Sequence, residues 1–257
     1  MVPRSALVRR PSPRLAEGLV THISRSPVDV ARALRQWEAY VDVLRDAGWV
    51  IIEVPPAPDC PDSVFVEDTV VAFRDVAVLT HPGAPERVVE VDAVGPVVAD
   101  AGYRVHRIEA PGTLDGGDVL KVGDTVYVGR GGRTNSEGIR QFRSALEPLG
   151  AHVVEVPLGK VLHLKSAVTA LPDGTVVGYP PLVDDPSVFE RFLAVPEEGG
   201  SHVVLIGGDQ LLMSADAPRS AEMFRGLGYR PVEVDISEFV KLEGCVTCLS
   251  VRLRPPS

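Results

Sequence analysis

Five times along this 257-residue sequence a glycine introduces a short run rich in β-branched residues, and that punctuation constrains the fold more than any single motif. The five are Gly48 before Trp49-Val50-Ile51-Ile52-Glu53-Val54, Gly102 before Tyr103-Arg104-Val105, Gly150 before Ala151-His152-Val153-Val154-Glu155-Val156, Gly200 before Ser201-His202-Val203-Val204-Leu205, and Gly228 before Tyr229-Arg230-Pro231-Val232. Each reads as the glycine that ends a helix and feeds a strand. Upstream, helical periodicity is clearest over 28–47, where Val30, Ala33, Leu34, Trp37, Tyr40, Val41 and Leu44 recur at three-to-four spacing, with Pro27 and Asp29 suited to the first turn. Downstream come strand pairs with turn signals between them: 70–73 and 76–79 around Arg74-Asp75, 119–122 and 126–128 around Gly123-Asp124, 167–171 and 176–177 around Asp173-Gly174. The last apolar run, 246–253, reads as a strand with no partner after it, and Ala6-Leu7-Val8 supplies one that closes a ring. The unit of helix, strand and hairpin recurs about five times, with one compressed copy near Gly200. This favours a single closed α/β domain over 1–257 with pseudo-fivefold repetition rather than a doubly wound sheet.

Residues able to do chemistry gather at one place in the unit, the start of the hairpin. Glu67-Asp68 stands there in the first copy, Asp115 and Asp118 in the second, His163 in the third and Cys248 in the fifth. A ring of repeats brings equivalent positions together around its axis, so a cysteine, a histidine and several carboxylates would meet there. Taken singly, each has a plainer reading. Cys248 sits in what reads as an apolar strand, where buried structural cysteine is common. His163 lies in an apolar run, and Asp115-Gly116-Gly117-Asp118 looks like a turn whose own amides hold Asp118. Asp62, Glu67 and Asp68 flank apolar Val64-Phe65-Val66, which draws them towards partial burial. The other histidines, at 22, 81, 106, 152 and 202, fall in loops or post-glycine strands, away from hairpin starts.

Charge and cysteine count remove several alternatives. Twenty-six basic against 35 acidic residues give a net charge of −9 with no basic run, which argues against nucleic acid and anionic membrane surfaces as partners. Three cysteines make no disulfide framework and suit a reducing cytoplasm. Cys245 and Cys248 spell Cys-x-x-Cys, but Cys60 alone does not complete a zinc site, and a thioredoxin-like motif should open a helix. Arg4, Arg9 and Arg10 are followed by Pro11-Ser12-Pro13-Arg14 rather than an apolar stretch, so no signal peptide is expected. No run approaches the ~20 apolar residues of a membrane span.

As a set, these residues resemble the dimethylarginine dimethylaminohydrolases, members of the guanidino-modifying pentein superfamily, whose fold is a five-bladed α/β propeller. The likeness is carried by Asp62-Ser63-Val64-Phe65-Val66-Glu67-Asp68-Thr69, Thr80-His81-Pro82-Gly83-Ala84-Pro85-Glu86-Arg87, Thr113-Leu114-Asp115-Gly116-Gly117-Asp118-Val119-Leu120, Arg133-Thr134-Asn135, Leu162-His163-Leu164-Lys165-Ser166 and Val246-Thr247-Cys248-Leu249-Ser250-Val251. The resemblance implies Cys248 as nucleophile, His163 as general acid and base, and Asp115 as the carboxylate that orients it. It implies Asp68 on the substrate guanidinium with Asp62 and Glu67 shaping that end, Arg87 and Arg133 on the α-carboxylate, and a lid that places Leu19 over the substrate. The implied reaction is hydrolysis of N-ω-methylated L-arginine to citrulline and methylamine or dimethylamine through a covalent thiouronium. It calls for no metal or organic cofactor. Arginine deiminases carry an aspartate two residues after the histidine; Lys165 stands there instead, which argues for methylated arginine. The alternatives are an arginine deiminase or a hydrolase of another N-alkylated arginine on the same fold, or a non-enzymatic binder of an arginine-like cation. A homodimer is compatible with this reading, but no residue specifies it.

Overall fold

The computed structural model describes residues 4–254, and its architecture follows from where glycine lets the chain leave a helix. Gly48, Gly102, Gly150 and Gly228 have φ of +81°, +89°, +83° and +88°, the left-handed backbone that only glycine adopts without a side-chain clash. They follow α1 (Val30–Asp46), α2 (Val94–Asp100), α3 (Ser136–Leu146, extended by a 3-10 turn at Glu147–Leu149) and α4 (Pro218–Gly226). They lead into β2 (Val50–Glu53), β5 (Arg104–Arg107), β8 (His152–Pro157) and β14 (Arg230–Val234). Asp29 caps α1, its carboxylate accepting the Arg32 N–H at 2.9 Å.

Each helix is a crossover. Five three-stranded sheets each pair an inner strand antiparallel to a middle strand, which is in turn parallel to an outer one. A parallel pair cannot be joined by a tight turn, so the chain must cross over between middle and outer strands. The second blade runs β3 (Val70–Phe73), β4 (Val76–Leu79), β5, and the third β6 (Val119–Val122), β7 (Thr125–Arg130), β8. The fourth is β9 (Val168–Ala170), β10 (Val176–Gly178), β11 (Phe192–Ala194), and the fifth β12 (Val203–Gly207), β13 (Gln210–Ser214), β14. The first is made from both ends of the chain. There β15 (Val251–Leu253) pairs antiparallel with β1 (Ser5–Val8), Ser5 opposite Leu253 and Leu7 opposite Val251, closing the ring expected from the sequence.

Two expectations are corrected. Gly200 does not end a helix before an outer strand: it lies in a 3-10 turn, Glu198–Ser201, that feeds the inner strand β12. The compressed copy is the fourth crossover, which reaches β11 through two 3-10 turns, Pro180–Leu182 and Pro186–Val188, with prolines at 180, 181 and 186 preventing a continuous helix. The second correction concerns 246–253, where only Val251–Leu253 is strand. Cys245 to Cys248 form a turn, with the Cys248 N–H donating to the Cys245 carbonyl at 3.1 Å. The reason is competition for backbone groups. The buried Tyr40 hydroxyl of α1 donates to the Val246 carbonyl at 2.9 Å, and the Cys248 carbonyl accepts the Glu67 N–H at 3.2 Å, so neither is free for a ladder.

Candidate active site

Every inner strand starts from a short turn, and those turns meet at one end of the ring. Val66–Thr69 precedes β3, Gly116–Asp118 precedes β6, Leu164–Ser166 precedes β9, and the Cys245–Cys248 turn stands before β15. A pocket there is lined by Leu19, Asp62, Asp68, Arg87, Arg133, His163 and Cys248, with Phe65, Leu162, Leu242 and Glu243 completing the wall. Seven of the nine residues expected at the site thus share one enclosure. Asp115 stands behind His163, and Glu67 faces away. His202, which the sequence places far from any hairpin start, lies directly before β12 and binds the Ser166 carbonyl through Nε2 at 2.9 Å.

Asp115 is fully buried and spends both oxygens on positioning. Oδ1 accepts the Gly83 N–H at 2.8 Å, and Oδ2 lies 2.9 Å from His163 Nε2, leaving Nδ1 as the unengaged ring nitrogen. The imidazole packs onto Gly117, where a Cβ would come within 2.6 Å of Nδ1 and 2.8 Å of Asp68 Oδ1, so the turn tolerates no side chain. Burial opposes a charge on His163, but Asp68, Asp115 and Asp118 outweigh it and push the group up to about 9. Asp118 is not held by its own turn: it accepts the Leu164 N–H at 3.0 Å and the Thr134 hydroxyl at 2.5 Å. Burial pushes its carboxyl up to about 7. It fixes the 3-10 turn that starts immediately after His163.

Asp68 accepts the Gly117 N–H at 2.8 Å and an Arg87 Nη1–H at 2.6 Å. Burial alone would raise its pKa, yet His163 and Arg87 hold it down at about 2. Arg87 also donates through Nε and Nη2 to Glu90, and through Nη2 to the carbonyls of Asp62 and Phe65. Most of its donors are therefore committed to the wall, with Nη1 retaining a hydrogen beyond its bond to Asp68. Arg133 Nη1 lies 3.8 Å from Asp115 Oδ2. Glu90 was not anticipated, although its spacing three residues after Arg87 within the 3-10 segment Pro85–Val91 is the signal that would have found it.

Glu67 turns to the opposite side of the same layer. Its carboxylate accepts the Thr247 hydroxyl at 2.8 Å and pairs with Lys165 at 2.6 Å and Arg252 at 3.3 Å. These groups face an axial cavity of about 300 Å³ enclosed by the inner strands. The position two residues after His163 therefore points away from the pocket.

Cys248 is buried, and its Sγ accepts the Cys245 N–H at 3.4 Å. The two sulfurs are 3.3 Å apart, within hydrogen-bond reach of each other. Donation from Cys248 pulls Cys245 down to about 5, and the same bond, with burial, holds Cys248 well above an ordinary thiol. Above the pocket, the Leu19 N–H lies 3.1 Å from both Asp62 oxygens. The buried Glu243 carboxylate collects the N–H groups of Thr21, His22 and Ile23. Glu243 has φ of +62°, and the only cue in the sequence is its place before Gly244. Beneath this segment the pocket leaves about 20 Å³, room for roughly one water and far too little for an amino acid. Among the described residues, Asp68, Asp115 and His163 are the group whose ligand atoms lie within 4.8 Å of one another, the spacing a metal ion would need. All three are already bound to each other, to Arg87 or to backbone amides.

No protein-family model matches the chain. It is 66% identical over 254 residues to an N(G),N(G)-dimethylarginine dimethylaminohydrolase of Streptomyces coelicolor, covering 99% of this chain and 98% of the relative. A crystal structure of the Pseudomonas aeruginosa enzyme, a Cys-to-Ser variant with citrulline, superposes with a TM-score of 0.91 at 36% identity over 98% of this chain and 100% of the other. A structure of a dimethylarginine dimethylaminohydrolase His-to-Gly variant as an adduct with S-methyl-L-thiocitrulline gives the same TM-score of 0.91 at 36% identity, covering 98% of this chain and all of that one. With identity of this extent over the whole length and a shared five-bladed pentein ring, the chain belongs to the dimethylarginine dimethylaminohydrolase family.

Proposed function

We propose that the protein hydrolyses N-ω-methylated L-arginines to L-citrulline and methylamine or dimethylamine, with Cys248 as nucleophile, His163 as acid and base, and Asp115 as the group that orients the imidazole. The observation that carries this reading is the convergence of Cys248, the Asp115-bound His163 and the ionised Asp68 in one lidded pocket.

A guanidinium stays protonated, with a pKa above about 12, and its spread charge makes its carbon a poor electrophile. Carboxylates at Asp62 and Asp68 hold that cation by charge-assisted hydrogen bonds and fix its plane. Its arrival beside Cys248 favours the thiolate at that sulfur, and the Cys248 proton passes to Cys245 across their 3.3 Å contact. Sulfur attacks the guanidinium carbon. His163, protonated at neutral pH, donates to the departing amine and leaves a thiouronium on Cys248. The neutral imidazole then takes a proton from water as that water attacks, and citrulline departs. Acid and base assistance of this kind is worth ~10²–10⁴ in rate. Arg133 and the remaining Nη1 hydrogen of Arg87 face the substrate carboxylate. Free thiols at Cys60, Cys245 and Cys248 support a cytoplasmic setting.

The test is citrulline formation from dimethylarginine, monomethylarginine and arginine by the native protein and by Cys248→Ser. Methylated substrates should be turned over and arginine should not, and Cys248→Ser should lose roughly 10³-fold or more in kcat. A protein quenched during turnover should carry a mass adduct on the Cys248 peptide. Arginine consumed as fast as its methylated forms would sink the substrate assignment, and full activity in Cys248→Ser would sink the nucleophile.

A further inference from the structure

The reaction needs one sulfur, yet the turn before β15 presents two. Cys245 and Cys248 are its first and last residues, closed by a backbone hydrogen bond of 3.1 Å. Such a turn holds its end Cα atoms within ~7 Å, close to the ~4.4–6.8 Å that a disulfide spans. The sulfurs are already in contact at 3.3 Å, so a bond of ~2.0 Å needs a contraction of roughly 1.3 Å, within reach of small side-chain torsions. Both thiols are free.

The pair is also reachable from two sides. Cys248 lines the reaction pocket, whereas Cys245 lines a neighbouring cavity of about 400 Å³ beneath the His22–Ile23 segment. A small neutral oxidant therefore has a route to Cys245 that does not pass the substrate position. The hydrogen bond from Cys248 holds the Cys245 thiol down at about 5, so that sulfur is a thiolate at neutral pH, the form that reacts with peroxides.

We infer that Cys245 and Cys248 are a redox modification site, at which a hydroperoxide converts the pair to an intra-turn disulfide that withdraws the nucleophile and a thiol reductant returns it. In the first step the thiolate sulfur attacks the peroxide O–O bond. A sulfenic acid forms, and the departing alkoxide takes a proton to become an alcohol, or water when the oxidant is hydrogen peroxide. The second sulfur then displaces hydroxide from the sulfenic sulfur, and its own proton leaves with that hydroxide as water. Two thiols and one hydroperoxide yield one disulfide, one alcohol and one water, the thiols supplying both electrons. Cys245 thereby spares Cys248 the further oxidation to sulfinic acid, which thiols do not reverse. A disulfide that closes so short a loop gains little entropic stabilisation, so a reducing compartment reopens it.

The loss of activity on oxidation rests on Cys248 being the nucleophile; the disulfide itself does not. The full-length reduced protein is treated with hydrogen peroxide and followed by peptide mass and by turnover of dimethylarginine. The native protein should show the peptide spanning 245–248 lighter by two hydrogens in step with loss of nearly all activity, and dithiothreitol should restore it. In Cys245→Ala, and in Cys245→Ser should the first variant fold poorly, peroxide should leave sulfinic acid at Cys248 and dithiothreitol should restore nothing. Two results would overturn the inference: sulfinic Cys248 beside an unoxidised Cys245 in the native protein, or the same irreversible loss in native and variant. Should the reduced protein lack turnover altogether, the functional reading fails, while the mass measurement still decides the redox site.

Discussion

Three carboxylates surround one imidazole, and in the proposed mechanism their sum decides when His163 can act. Asp68 Oδ1 lies 3.9 Å from Nδ1, Asp115 binds Nε2, and Asp118 anchors the next residue. Together they overcome burial and keep the ring protonated up to about 9. An acid must hold its proton to give it, so activity limited by leaving-group protonation is present below that value and declines as pH rises through it. Asp115→Asn keeps an acceptor of the same shape for the ring N–H but removes a negative charge. The alkaline limb of kcat/KM should then move to lower pH, and kcat should fall by roughly 10²-fold, within the range attributed to acid–base assistance. A pH–rate profile of the variant checks this, and a limb that stays in place would mean that Asp115 does not tune His163.

The turns that start the inner strands are where sequence and structure agree most and also where they part. Glycines 48, 102, 150 and 228 were legible because a left-handed helix end is a local requirement. Gly200 was misread because a glycine before a β-branched run looks the same whether the strand is inner or outer. What decides between them is the proline-broken crossover some twenty residues earlier. The 245–250 stretch has a strand's composition, and only contacts from Tyr40 and Glu67, distant in the chain, make it a turn. Residue types at the site were readable from the repeat and the motifs, but side-chain direction was not, which is why Glu67 was placed in the pocket it turns away from. The anchor of the 19–23 segment was invisible for the same reason. Glu243 binds three successive N–H groups from a segment 220 to 222 positions away. Hydrogen bonds to a charged group contribute ~1.5–3 kcal/mol each. Glu243→Gln removes the charge from all three bonds and exchanges one accepting oxygen for a donor, so it should speed amide exchange at 21–23 by roughly ten- to hundred-fold. Hydrogen-exchange mass spectrometry of this peptide, with the 245–248 peptide as internal reference, reads the effect. Unchanged exchange would show that the carboxylate does not hold this segment.

At the scale of the whole ring, the chemistry sits at one end of the inner strands and the hairpin tips at the other. The β1–β15 seam pairs Ser5 with Leu253, and the Arg4 and Arg254 guanidinium groups both lie over the Trp49 ring. Nothing in such a ring requires the chain to start in the first blade; what it requires is that every inner strand remain tied to the turn before it. The β12–β13 tip at Gly208-Asp209 meets that condition. A Cβ on Gly208 would touch nothing within 4 Å, Asp209 pairs only with the exposed Arg230, and the five residues of β12 put roughly 17 Å between this tip and the strand start. A circular permutant opened between Gly208 and Asp209, with the present ends joined by a short flexible linker, should fold to the same ring. It should hydrolyse dimethylarginine within roughly tenfold of the native rate, because exposed tips tolerate chain breaks. Opening the chain between Gly116 and Gly117 should instead abolish turnover, since this turn carries Asp115, supports His163 and donates to Asp68. Thermal unfolding and citrulline formation on both permutants separate the two cases. Loss of the fold in the first would mean that the β1–β15 seam forms only when it joins free ends, and that the ring is less of a repeat than its five blades suggest.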